Sequence, residues 1–336
     1  MATVRPQGEQ RSVSIDIVRL LGLLLVVGNH LIGPSLGGYV AVFFVLSGYL
    51  MTRRRTLTDE LAHRVRTLLV PYAGWLIIIG ALVLAGMARR EVGFAEMAHQ
   101  VGVMLYGGRD LITPFTAFWF MTAIFVAAML YTLVRRLPLG ARVVTAAAAA
   151  LATLIGPQLS YWPLSIGVGV CAIVFVAAGD AFRWLEPRLR HRVVTGAVFV
   201  ILPVIAITTG ASERMILKIG DFGTPFVSVI AAVMLSCGAL LLAKPLALVL
   251  PKAIASRITW VVRMSTPIIL LHTVPAWMLP SSPLWLNLLL GLALPLAVGA
   301  LLLQFPHSRA RRILMPGPVP DGGRPNKSRD KRPLIS

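Results

Sequence analysis

Three ionisable residues interrupt the first long apolar run of the chain: Asp16, Arg19 and His30. Their spacing is that of one helix face. The eleven-residue step from Arg19 to His30 is three turns plus roughly 20°, so both side chains leave the same side of a helix about 16 Å apart along its axis. Asp16 sits one turn before Arg19, where the two can pair. A neutral imidazole can take a proton from a hydroxyl near neutral pH. A guanidinium binds phosphate or carboxylate through its planar fork. A later run repeats the layout with Arg263, Ser265, Thr266, Pro267 and His272, the arginine again first and the histidine further along. Pro267 frees a backbone carbonyl and is expected to bend its helix. Asp180 is placed to pair with Arg183 and reads as structural. The repeated layout points to a path running from one end of a helical bundle to a reaction centre deeper in it.

The elements that must carry these residues follow from composition. Of 336 residues 57% are hydrophobic and only 13% charged, with a mean hydropathy of +0.80. A soluble domain has roughly 25% charged residues, so a soluble enzyme, a disordered chain and a fibrous repeat are excluded. What remains is an all-α, polytopic integral membrane protein. Counting about 20 apolar residues per crossing gives about ten segments. They lie near 14–33, 36–52, 68–88, 115–134, 143–157, 164–182, 193–210, 223–243, 258–279 and 284–304. The fifth, built on the alanines 146–150, is the weakest. The first is not a cleaved leader, because Asp16, Arg19 and His30 interrupt it. An ionisable residue inside a span costs about 2.5–3.5 kcal/mol on insertion scales, which makes each one a functional candidate.

The net charge is +19. With the N-terminus placed in the cytoplasm, 25 of the 32 Lys and Arg residues fall on the cytoplasmic side, and only Arg89, Arg90, Arg109, Arg214 and Lys218 fall outside. Alternate loops carrying the basic excess predict an even number of spans, both termini cytoplasmic and a cell-membrane location. The charge is then topology plus attraction to anionic membrane lipid, and no nucleic-acid partner is expected. The chain divides into a cytoplasmic segment 1–13, a transmembrane domain 14–304 and a basic, Pro- and Gly-rich tail 305–336 expected to be disordered. Cys171 and Cys237 lie in apolar runs and read as packing residues. No metal site is expected.

At this point the motifs resemble those of the acyltransferase-3 family of membrane-bound acyltransferases. Ser14-Ile15-Asp16-Ile17-Val18-Arg19, followed by His30, is similar to its R-x10-H signature. Residues 38–50, Gly-Tyr-Val-Ala-Val-Phe-Phe-Val-Leu-Ser-Gly-Tyr-Leu, resemble its G-V-x-x-F-F-V-L-S-G-Y-L segment. His63 to Tyr72 resembles its basic segment, Phe118-Trp119-Phe120-Met121 its W-F-L span, and Ser265-Thr266-Pro267 through Leu271-His272 its late serine and L-H motif. The chain departs from the pattern at Thr67, where relatives carry the second arginine of R-x-x-R, and at Ile269-Leu270, where a tyrosine is usual.

The resemblance implies a stand-alone enzyme, without an esterase-like domain, that moves an acyl group, commonly acetyl. The donor is acyl-CoA, here acetyl-CoA, and no cofactor is bound. The acceptor is a hydroxyl of a carbohydrate, lipid-linked glycan or natural product. It implies His30 as general base with Arg19 and Asp16 beside it, and Arg64, Arg66 and Arg263 as contacts of the donor. Ser47, Trp119 and His272 are implied for the acceptor or the cavity, with Ser47-Gly48 equally readable as a close helix contact. A transporter or flippase with an intramembrane Arg and His path is the alternative.

Overall fold

The structure is a computed structural model that describes residues 7–31, 40–51 and 56–316, with side chains from Val13 onward. Gly38, Tyr39, the arginines 53–55 and the residues from 317 on lie outside the described residues, as do residues 1–6 and 32–37. Among the described residues the regular secondary structure is all helix, apart from an isolated bridge between Ile216 and Asp221.

In order, the helices that matter here are α1 (Gln7–Leu31), α2 (Ala41–Tyr49), α3 (Leu57–Arg64), α4 (Val70–Arg89), α5 (Phe94–Tyr106), α6 (Trp119–Val134) and α7 (Leu139–Ala152). They continue with α8 (Ile173–Leu185), α9 (Arg192–Thr208), α10 (Val227–Val249), α11 (Lys252–Arg263), α12 (Ser265–Leu271), α13 (Leu284–Gln304) and α14 (Arg309–Leu314).

All ten expected apolar runs carry helix, but they are not ten equal spans. Five stretches are long and apolar enough to cross a membrane: 13–31, 57–89, 139–159, 227–249 and 284–304. Two bent pairs bring the candidates to seven, one turning by 46° before α8 and one by 54° between α11 and α12. Helices α6 and α9 are shorter. Helix α2 is nine residues, about 14 Å at 1.5 Å per residue. It is apolar all round because it is enclosed: Ala41, Phe44 and Val45 have no exposed surface, and Tyr49 has 2%. By contrast α1 turns Leu21 and Leu24 outward and buries Val18, Leu23 and Val27, the one-sided pattern of a helix between lipid and core.

Glycine decides how closely α2 approaches α8. A Cβ on Gly48 would lie 1.9 Å from the Val176 carbonyl oxygen, and one on Gly179 would lie 2.0 Å from that of Val45. Two helices in apolar surroundings gain contact only through such backbone proximity. The end of α2 is then locked by Tyr49, whose hydroxyl donates to Glu186 Oε2 at 2.7 Å, while Lys244 pairs with the same carboxylate.

Asp180 is structural, with a different partner from the expected one. It faces Arg135 at 3.2 Å and accepts from Tyr131 at 3.0 Å, whereas Arg183 donates to the Met51 carbonyl. Neighbours in sequence lost to neighbours across the bundle. The expected tail also begins with ordered chain. Helix α14 is capped by Ser308, which accepts from the Arg311 amide at 3.1 Å, and it docks on α4 through a bond from Trp75 Nε1 to the Leu314 carbonyl at 2.9 Å.

Candidate active site

Helix α1 runs through the centre of the site, packed by α10, α11 and α13, and it opens onto a different cavity at each end. The first, an arginine cavity of about 620 Å³, is lined by Asp16, Arg19, Ser47, Arg64, Arg263 and Arg311 among others. The second, a histidine cavity of about 240 Å³, is lined by His30, Trp119, Arg214 and Lys218. Phe43, Phe120 and Ile269 border both cavities and form the wall between them.

In the arginine cavity the expected pair forms: Arg19 faces Asp16 at 3.7 Å, and Asp16 also accepts from Thr259 of α11 at 2.8 Å. Arg64 is held by Glu60 at 2.7 Å and donates to Ser47 Oγ at 3.1 Å. The Ser47-Gly48 pair therefore splits its roles, the serine in the cavity and the glycine in the α2–α8 contact. Four arginines against the carboxylates Asp16 and Glu60 leave this lining positive.

Between α3 and α4 the chain takes one wide π turn, Val65–Leu69, a local geometry common at functional sites. The turn brings His63, Arg64, Thr67 and Leu68 to the cavity and leaves Arg66 exposed, lining neither cavity. Arg263 reaches the cavity because α11 ends at it. The break falls at Met264, just before the helix that contains Pro267, whose ring cannot accommodate the carbonyl of the residue four earlier.

His30 and His272, distant in sequence, touch. His272 is fully buried, and its Nδ1 lies 3.0 Å from the carbonyl oxygens of both Ile268 and Ile269. A carbonyl only accepts, so Nδ1 carries the hydrogen and Nε2 the lone pair. His272 Nε2 is 3.0 Å from His30 Nδ1, which is also 3.0 Å from the Val26 carbonyl. His30 Nδ1 therefore donates to both, and its Nε2 is left as the lone-pair nitrogen. This tautomer follows from the hydrogen-bond network. His30 lines the histidine cavity; His272 lines neither cavity and orients His30.

Sequence reasoning missed Lys218, Arg214 and Arg311 as site residues. All three read as loop or tail charges in the topology pattern, which is a sufficient reason for a basic residue at those positions. Only the return of their segments onto the bundle reveals a second role.

A helical membrane protein with an arginine-lined cavity and a histidine cavity on either side of one wall is the class this geometry defines. The sequence pattern of the acyltransferase-3 family, an acyltransferase domain, matches residues 12–304, and the chain belongs to that family. It is a membrane acyltransferase. No curated protein and no solved structure matches the chain.

Proposed function

We propose that the protein transfers an acyl group, acetyl in the simplest case, from acyl-CoA to a hydroxyl of a carbohydrate, glycolipid or natural product. The single observation that carries this reading is the carbonyl-fixed pair His272–His30, which leaves His30 Nε2 ready to accept a proton. The arginine cavity suits the phosphates of the donor, with Arg19, Arg64, Arg263 and Arg311 as its contacts, since planar guanidinium forks match phosphate oxygens. The thioester end then passes the Phe43, Phe120 and Ile269 wall to reach His30.

The acceptor enters the histidine cavity beside Trp119 and gives its hydroxyl proton to His30 Nε2. Its oxygen attacks the thioester carbonyl. The tetrahedral intermediate collapses, the C–S bond breaks, and the CoA thiolate leaves and takes up the proton held by His30. His272 keeps His30 in the productive tautomer, much as a third group orients the base in a catalytic triad.

The basic asymmetry of the loops supports a cell-membrane protein with ten crossings, the bent pairs and short helices included, and with the arginine cavity and both termini facing the cytoplasm. A cysteine at Ser282 is then reached by an impermeant reagent from outside and one at Ser328 is not; both native cysteines are buried. The experiment that tests the function is acyl transfer by the full chain in proteoliposomes, read as free CoA release and as the added acyl mass on envelope glycans and lipids. Transfer that depends on His30 is the expected result. Normal transfer in His30→Ala would remove the base assigned here.

A further inference from the structure

The segment between α9 and α10 is a built cover over the histidine cavity. Ile216 and Asp221 exchange backbone bonds at 2.9 and 3.2 Å, closing a tight turn around Leu217–Ile219. Met215, Leu217 and Phe222 insert into the bundle, each at most 6% exposed, and the Phe222 ring stacks on Phe175 at 6.3 Å. Ser228 Oγ ties the base of the cover, donating to the Glu213 carbonyl at 2.8 Å and accepting from the Thr224 amide at 3.0 Å.

This cover carries Arg214 and Lys218 into the cavity lining. The Lys218 ammonium donates to the Leu111 carbonyl and to Thr116 Oγ1, two neutral acceptors that fix its position without cancelling its charge. Of the acids in the adjoining turns, Asp110 faces Arg109 at 3.9 Å, and Asp221 accepts from the Gly223 amide at 2.8 Å. Among the described residues no carboxylate lines the cavity; Lys218 and Arg214 bring positive charge beside His30, and the rest of the wall includes Phe43, Trp119 and Phe120. A half-buried ammonium such as that of Lys218, held by neutral acceptors in apolar walls, is unfavourable by itself, and an anion brought beside it meets a strong, weakly screened attraction.

We infer that the acceptor is an anionic hydroxyl compound, whose phosphate or carboxylate is held by Lys218 and Arg214 while its neighbouring hydroxyl faces His30. This rests on the reading of the histidine cavity as the acceptor site. A cavity of about 240 Å³ has room for one sugar-sized unit, so the anion and the reacting hydroxyl belong to the same or adjoining residues.

The test is binding of glucose, glucose 6-phosphate and glucuronate to the full chain in phosphatidylcholine nanodiscs, with saturating CoA present to occupy the arginine cavity. The expected result is that at least one anionic sugar binds about tenfold or more tightly than glucose, as a charge-assisted contact predicts. Which of the two it is separates phosphate from carboxylate. Lys218→Met removes the preference, Lys218→Arg keeps it, and Arg214→Gln weakens it, so the readout survives the misfolding of any one variant. Equal binding of all three sugars, or of none, overturns the inference, as does a preference that persists in folded Lys218→Met. His30→Ala separates the two readings, because it abolishes acyl transfer and leaves the anion preference intact. A preference without His30-dependent transfer in the wild type would overturn the proposed function and leave the anion site standing.

Discussion

The two cavities at the ends of α1 both place cations in an apolar bundle, but with different chemistry. The arginine cavity uses guanidinium groups in carboxylate partnerships, Arg19 with Asp16 and Arg64 with Glu60. The histidine cavity uses Lys218, braced by a carbonyl and a hydroxyl. Guanidinium stays charged at every accessible pH and grips two oxygens at once, whereas an ammonium is a point charge whose pKa moves with burial. Burial pushes the Lys218 ammonium down to about 8, against a small opposing pull from Asp110. The lining of one cavity therefore keeps its charge at every accessible pH, while that of the other carries a titratable cation beside His30.

The largest effect that can break this comparison is at His30. Removing a positioned base costs about 10²–10⁴-fold in rate, so His30→Ala is expected to lose transfer by that factor while acyl-CoA binding, measured on inserted protein, stays normal. Loss of donor binding instead would mean that the two cavities are not functionally separate. His272→Ala is expected to fall short of that loss, by roughly 10–100-fold in kcat with the donor KM unchanged, because the base remains and only its orientation is lost. An equal loss in both variants would mean that the two histidines act as one unit and that the orientation of His30 matters as much as its presence.

The arginine cavity predicts the opposite kinetic signature. Arg64→Ala and Arg311→Ala are each expected to raise the donor KM about tenfold with little change in kcat, since they remove binding common to ground and transition states. Arg19→Lys keeps the charge but loses the fork and is not expected to restore activity. A kcat effect with unchanged KM in Arg311→Ala would take α14 out of the donor site.

The smallest effect is the pH dependence that sharpens the contrast. The protonated form of Lys218 binds the anion, and its pKa lies at about 8, so the acceptor KM should rise severalfold as pH increases through that value. The donor KM, governed by guanidinium groups, should stay flat over the same range. Steady-state kinetics between pH 6.5 and 9.5, a window of roughly 1.5 units on either side, decides it. Parallel drift of both constants would mean that Lys218 is only structural.

Much of this protein is visible in one dimension. Low charge and long apolar runs dictate a helical membrane bundle, because only helices and closed barrels satisfy their own backbone polar groups in hydrocarbon, and continuous apolar runs of about 20 residues suit helices. The Asp16–Arg19 pair and the common face of Arg19 and His30 follow from helical periodicity alone, and the motif order from Ser14 to His272 already resembles the family that residues 12–304 match. These features are local, or are read as a pattern along the chain.

What only the tertiary structure decided are contacts between segments far apart in sequence. His30 meets His272 because α1 and α12 pack together, and two carbonyls then choose the tautomers. Asp180 takes Arg135 in place of Arg183, and Arg66 turns out of the cavity on a π turn whose register no residue spacing announces. Lys218 and Arg311 look like ordinary topological charges until a loop and a terminal helix fold back onto the bundle. A sequence records which groups are present and which share a helix face. Which of them share a cavity depends on interhelical packing, and here that packing turns on two glycines, Gly48 and Gly179, that let backbones touch.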